Sequence, residues 1–299
     1  MASWQMSAVS TFIRFAYKRH FATVRAGRST LARAKGSSAP PRAVTKRYDV
    51  HHRLVRGFDV YVVRSAAAPP SRDAVIYLHG GAYTSEIVKQ HWALIAYIAR
   101  RSRLDVHVPI YGLAPRHHAL EARDLVTTTI AGLTPDYRAC YLLGDSAGGG
   151  LALLAAQAVA GRPGTPVAGL TAIAPWLDLS LSNPAIDDIE PGDPWLTRAG
   201  LRTIAEVWAD GLPLTDARIS PLYGDLAALP PLQVLVGTRD IAVADCRTLR
   251  DRLPAGVPLT YHEEIGAIHA YPLLPVPEAQ VARRAIVDQI HATLGGTGT

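Results

Sequence analysis

Three scarcities narrow the field before any motif is considered. Only two cysteines, Cys140 and Cys246, occur in 299 residues. That is too few for a disulfide framework and suits a reducing compartment, the cytoplasm, with both thiols serving as small buried apolar groups. No Cys or His run has metal-ligand spacing, so no metal site is expected. No uninterrupted apolar run reaches the ~20 residues that a membrane span requires.

Acid is missing from one end. Residues 1–48 hold ten of the 31 Lys and Arg residues and not one Asp or Glu. The remainder carries 21 basic against 25 acidic side chains, so the net charge of +6 belongs to the N-terminal segment. A nucleic-acid-binding domain would show a basic face together with a reading motif, and none is present. The segment is not a secretory signal, because Arg14, Lys18 and Arg19 break its apolar core. It has the acid-free, Arg- and Ser-bearing character of an organellar transit peptide. It also suits a helix lying on an anionic membrane surface, a peripheral membrane contact. The preferred reading packs its Trp4, Phe12, Ile13, Phe15 and Tyr17 side on the folded body and leaves its charges in water.

Hydrophobic residues make up 48% of the chain and charged residues 19%, enough for a substantial core. From residue 48 apolar runs of strand length alternate with helical patterns. "RYDVHHRLVRG" and "FDVYVVRS" read as an antiparallel pair joined at Gly57, and "DAVIYLHGG" reads as a strand buried on both faces. Helix and strand then take turns as far as a last helix at about 277–294, so a mostly parallel sheet covered on both faces follows. Residues 178–219 break the rhythm with turn residues, one helix and no strand. Such an insertion at the carboxyl edge of an α/β sheet is placed to cover a ligand site.

"YLLGDSAGGG" ends a buried strand on Gly144, Asp145, Ser146, Ala147 and Gly148, the G-x-S-x-G pattern of a strand-to-helix elbow that exposes a nucleophile. A glycine-rich turn with Ser146 as helix N-cap would satisfy the same five residues, but it requires no partners elsewhere. Partners are present in the order this sheet demands, serine then acid then histidine. Asp240 follows the strand in "LVGTRD", and His269 stands in "EEIGAIHAY" between the last strand and the last helix. Asp245 and Asp251 are carried away by a helix, and Glu263 and Glu264 belong to a strand. A tetrahedral intermediate also needs N–H donors for its oxyanion. "YLHGGAY" supplies them at Gly81 and Ala82, with Gly80 a near alternative and Ala147 the donor after the nucleophile. His79 is expected to hold this loop in shape. Tyr83, Trp176 and Trp195 are candidates for the substrate pocket, with burial in the core as the competing reading.

"HGGAY", "YGLAP", "GDSAGG", "PWLDL", "SPLYGDL", "GTRDIAVAD" and "GAIHAY", in that order, resemble the hormone-sensitive-lipase-like (family IV) microbial carboxylesterases of the α/β-hydrolases over about residues 70–295. The resemblance implies the α/β-hydrolase fold: an eight-stranded, mostly parallel sheet with helices on both faces. It implies a small helical cap from residues 1–47 and 178–219, on a core of 48–177 and 220–299. It implies a Ser146, Asp240, His269 triad, no cofactor, and a carboxylic ester hydrolase acting on small to medium acyl esters. Lactone hydrolysis, N- or O-acetyl (amide) hydrolysis and a silent ligand-binding role are the alternatives. It also implies that the strand "PLTYHEE" can pair edge to edge in a homodimer, unless Glu263 and Glu264 protect that edge. Two departures stand out. Ala82 replaces a third glycine and narrows the pocket, and "YGLAPR" has Gly112 and Arg116 where the family has arginine and glutamate, implying a rearranged loop.

Overall fold

The computed structural model describes residues 2–66, 71–162 and 167–295. Its centre is one eight-stranded sheet: β1 (Tyr48–Val55), β2 (Phe58–Ser65), β3 (Asp73–Leu78), β4 (Asp105–Pro109), β5 (Ala139–Asp145), β6 (Val167–Ile173), β7 (Leu232–Gly237) and β8 (Leu259–Glu264). The spatial order is β1-β2-β4-β3-β5-β6-β7-β8. β1 and β2 form a hairpin, β2 is antiparallel to β4, and every later pair is parallel. The parallel strands β4, β5 and β7 are buried along their whole length, as continuous apolar runs covered by helices on both faces must be. Edge strand β1 instead alternates half-buried and exposed positions over much of its length. At the other edge, Glu263 of β8 is ion-paired with Arg247 at 2.5 Å.

The helices are α1 (Trp4–Ala16), α2 (Val24–Leu31), α3 (Arg42–Thr45), α4 (Lys89–Ser102), α5 (Ala119–Ala131), α6 (Ala147–Val159), α7 (Ile186–Ile189), α8 (Arg198–Trp208), α9 (Ala242–Arg252) and α10 (Pro277–Gly295). The chain leaves β3 toward β4 on one side and returns to β5 on the other, so the strand order reverses between β3 and β5. Ligands of open α/β sheets sit outside the carboxyl ends of the strands at such a reversal. Residues 79–83 and Ser146 emerge there.

Two elements lie over that edge. α8 from the 178–219 insertion packs on α2, and the Gly200 N–H donates to the Phe21 carbonyl at 2.9 Å. Gly112 has its own local reason: a Cβ there would stand 2.2 Å from the His117 ring, which pairs with Glu121 at 2.7 Å.

One expectation is corrected. α1 does touch the body, but through Met6, Ser10 and Ile13. Of the five residues expected to pack, only Ile13 is buried. Trp4, Phe12, Phe15 and Tyr17 are 76%, 63%, 78% and 42% exposed. The helix has two apolar faces, and the less aromatic one is turned inward.

Candidate active site

β5 delivers Ser146 into a conformation that L-residues seldom adopt, φ 52° and ψ −121°. The surroundings hold it there. Its N–H donates to the Ile173 carbonyl of β6 at 2.8 Å, and α6 begins at the next residue. Gly148 lets that helix rise against β3, because a Cβ there would stand 2.1 Å from the Leu78 carbonyl oxygen. The serine hydroxyl is thus presented at the sheet edge on a turn that a bulkier sequence could not close.

β7 and β8 bring two further groups to it. His269 Nε2 lies 2.9 Å from Ser146 Oγ, and His269 Nδ1 lies 2.8 Å from Asp240 Oδ2. An ionised carboxylate only accepts, so Nδ1 carries the hydrogen and Nε2 is left to accept the serine proton. Asp240 is wholly buried and His269 nearly so. Burial opposes the imidazolium, but the Asp240 carboxylate, helped by the charges of Asp193 and Asp145, outweighs it and raises the His269 pKa above its ordinary value. Trp195 closes the far side, edge-on to the His269 ring at 5.7 Å.

The loop after β3 is tied to the same turn. Asp145 Oδ1 accepts the Gly80 N–H at 3.1 Å and the Tyr77 hydroxyl at 2.5 Å, while Oδ2 lies 3.3 Å from His91 Nε2. The Gly80 amide is therefore committed, which removes it from the candidate oxyanion donors. Among the described residues the N–H groups of Gly81, Ala82 and Ala147 meet no protein acceptor. His79 Nδ1 lies 2.7 Å from the Gly80 carbonyl, and its ring stacks on Tyr111 at 4.4 Å. Burial, then the neighbouring His91, lowers the His79 pKa to about 4, so its ring is neutral at pH 7 and Nδ1 donates.

Ser146, His269, Gly81 and Ala82 all border one cavity of about 490 Å³, as do Trp176 and Trp195. Apolar side chains such as Ile13, Leu181, Leu196 and Ile241 form much of its wall. Tyr83 is not part of it. The backbone at Tyr83 (φ 58°) turns the ring into the core, where it stacks on Trp208 at 4.4 Å and donates its hydroxyl to the Ala147 carbonyl at 2.8 Å. Two carboxylates that matter here carried no separate signal in the sequence. Asp145 is a variable position of G-x-S-x-G, and Asp193 lies in the insertion. Among the described residues no group of three or more His, Cys, Asp or Glu side chains is placed to hold a metal ion.

Residues 75–273 match the family model described as the alpha/beta hydrolase fold. The chain is similar to an esterase of Acinetobacter venetianus, 30% identical over 204 residues that make up 66% of this chain and 65% of that one. It is also similar to a triacylglycerol lipase of Mycobacterium tuberculosis, 32% identical over 186 residues, 60% of this chain and 37% of the lipase. Both matches therefore span less than two thirds of the relative's length. Among solved structures, an esterase from the bacterial hormone-sensitive lipase family superposes with a TM-score of 0.79 at 25% identity, over 98% of this chain and 99% of that one.

Proposed function

This chain belongs to the hormone-sensitive-lipase-like α/β-hydrolases, and from that premise we propose that it is a serine carboxylesterase acting on small to medium acyl esters. The observation that carries this reading is the Ser146–His269–Asp240 hydrogen-bonded chain, whose Ser146 and His269 border a largely apolar cavity. Esterase and lipase names among the similar proteins support it.

In this reading Ser146 Oγ attacks the ester carbonyl carbon while its proton passes to His269 Nε2. The carbonyl oxygen becomes an oxyanion that accepts from the Gly81, Ala82 and Ala147 amides. Asp240 stabilises the imidazolium and keeps its tautomer. Collapse of the intermediate breaks the ester C–O bond, and His269 gives its proton to the departing alcohol. Water then attacks the acyl-Ser146 ester with His269 as base, releasing the carboxylic acid and restoring the serine. His79 supports the donor loop and stays out of proton transfer. A lactone would follow the same steps, whereas an amide would need a harder departure of nitrogen.

The test is hydrolysis of chromogenic esters from acetyl to palmitoyl, with Ser146→Ala as control. Turnover that favours the shorter chains and falls about 10⁴-fold or more in Ser146→Ala is expected. Unchanged turnover in that variant would remove Ser146 as nucleophile. Turnover of lactones or acetamides in place of every ester would replace the substrate class.

A further inference from the structure

α1 is held in place more firmly than a loose N-terminal helix would be. The Ser3 N–H and hydroxyl both donate to Glu278 of α10, at 2.6 and 3.0 Å. Lys18 Nζ donates to the carbonyls of Asp193 and Glu190, at 2.6 and 3.3 Å, and Arg14 donates to the Gly192 carbonyl at 3.2 Å. Met6, Ser10 and Ile13 are spent on the body. At 3.6 residues per turn, Trp4, Ala8, Thr11, Phe12 and Phe15 fall within one arc of about 100° on the outward side. That arc is exposed in all five residues, three of them large aromatics. A helix so fastened cannot hide its aromatic face by rolling over.

The charge that the α1–α2 segment itself contributes is of one sign. Arg14, Arg19, Arg25, Arg28 and Arg33 are exposed, and no acidic residue occurs before Asp49. The occupant must therefore be negatively charged and must also offer an apolar layer to take up aromatic rings. A second copy of the same face would set arginine against arginine. A nucleic acid would satisfy the charge, but it has no continuous apolar layer for a helix face carrying Trp4 and Phe15. A bilayer of anionic lipid offers both, headgroup charge at the rim and acyl chains beneath.

Position adds a further observation. Phe12 and Tyr17 of this segment, together with His20, Phe21 and Arg33, also border the cavity that Ser146 lines. Phe12 thus belongs both to the exposed face and to the wall of the cavity. We propose that the outward face of α1, with the arginines of the α1–α2 segment, is a docking surface for anionic lipid bilayers, and that docking sets the cavity mouth against the headgroup layer.

The test uses the full chain and two vesicle preparations, phosphatidylcholine alone and phosphatidylcholine mixed with phosphatidylglycerol. Sedimentation with the mixed vesicles, weakened by salt and at least tenfold stronger than with neutral ones, is the expected result. A Trp4→Ser, Phe15→Ser double variant is expected to lose tenfold or more in partitioning while hydrolysing a water-soluble ester as before, since neither side chain borders the cavity. Binding is read without turnover, so it stands or falls separately from the esterase assignment. Absence of binding to the anionic vesicles, or equal binding by the double variant, would overturn the proposal. So would a concentration-dependent dimer that the double variant abolishes, because the occupant would then be a second copy.

Discussion

The Asp193 carboxylate of the 178–219 insertion accepts the N–H of Ile241, the neighbour of Asp240, at 3.0 Å, and its other oxygen accepts the N–H groups of Trp195 and Leu196 at 2.7 and 2.9 Å. One buried side chain thus fastens the tryptophan that faces His269 to the loop that carries Asp240. Burial, and then the Asp240 charge, push the Asp193 pKa above the ordinary carboxylate range, while the Asp193 charge in turn helps to raise that of His269. In the proposed mechanism His269 acts as neutral imidazole, so the rate is expected to climb as pH rises through the His269 pKa. Asp193→Asn removes a negative charge, lowers that pKa and is expected to move the acidic limb of kcat/KM to lower pH. Some loss of stability, about 1–3 kcal/mol, should accompany it as the three N–H bonds are disturbed. A limb that stays in place would confine Asp193 to a structural part.

Gly81 is the sharpest test of the oxyanion loop. Its φ of +122° strains any L side chain, and a Cβ would stand 2.6 Å from the Ser85 carbonyl oxygen. Gly81→Ala must therefore shift the loop that carries the Gly81 and Ala82 amides, leaving Ser146 and His269 untouched. A drop in kcat of about 10²-fold or more is expected, with a smaller change in KM and a native circular dichroism spectrum. Wild-type kcat in a folded Gly81→Ala protein would remove these amides from catalysis.

What the sequence disclosed and what it concealed have physical causes. Strand ends are marked by apolar runs stopping at turn residues, so the positions of Ser146, Asp240 and His269 at one sheet edge could be read directly, as could the alternation that makes the sheet parallel. Helical period could not say which of two apolar arcs of α1 faces inward; the choice is made by tertiary contacts such as Ser3 with Glu278 and Lys18 with Asp193. The Gly80 amide looked as free as its neighbours because its partner, Asp145, is 65 residues away. Tyr83 follows the donor loop in sequence, but a left-handed backbone sends it into the core. Patterns report local periodicity; the inward face of α1, the partner of the Gly80 amide and the direction of the Tyr83 ring are set by the folded backbone and its distant contacts.

Tyr77 probes the tie between the elbow and the donor loop. Its buried hydroxyl supplies one of the three partners of the Asp145 carboxylate. Tyr77→Phe keeps the ring and leaves that carboxylate short of a donor, so a destabilisation of about 1–3 kcal/mol is expected in chemical denaturation. Because Gly80 and His91 still hold Asp145, kcat/KM should fall by less than about tenfold. A neutral effect on stability would mean that the remaining two partners suffice.

Asp245 makes stability depend on pH in the direction opposite to a salt-bridged carboxylate. It lies in α9, almost wholly buried, with its Oδ1 accepting from Asn183 Nδ2 at 2.9 Å. Burial pushes its pKa up to about 7, with the Asn183 hydrogen bond pulling the other way and the Asp178 charge adding to the rise. In the unfolded chain the same group titrates near ~3.9. Folded and unfolded forms are both protonated below that value, so the full contribution is present there. As pH rises toward about 7 the unfolded chain holds its charge freely while the folded protein must bury it, and stability is lost. Asp245→Asn removes the titration and keeps an oxygen for Asn183. The variant is expected to match the wild type near ~pH 4 and to be more stable by on the order of 1–3 kcal/mol near ~pH 8. At roughly 2–4 °C per kcal/mol, thermal melts across that range would show the two curves diverging as pH rises. Parallel curves would mean that Asp245 is charged in the folded protein throughout and that Asn183, with nearby solvent, stabilises it.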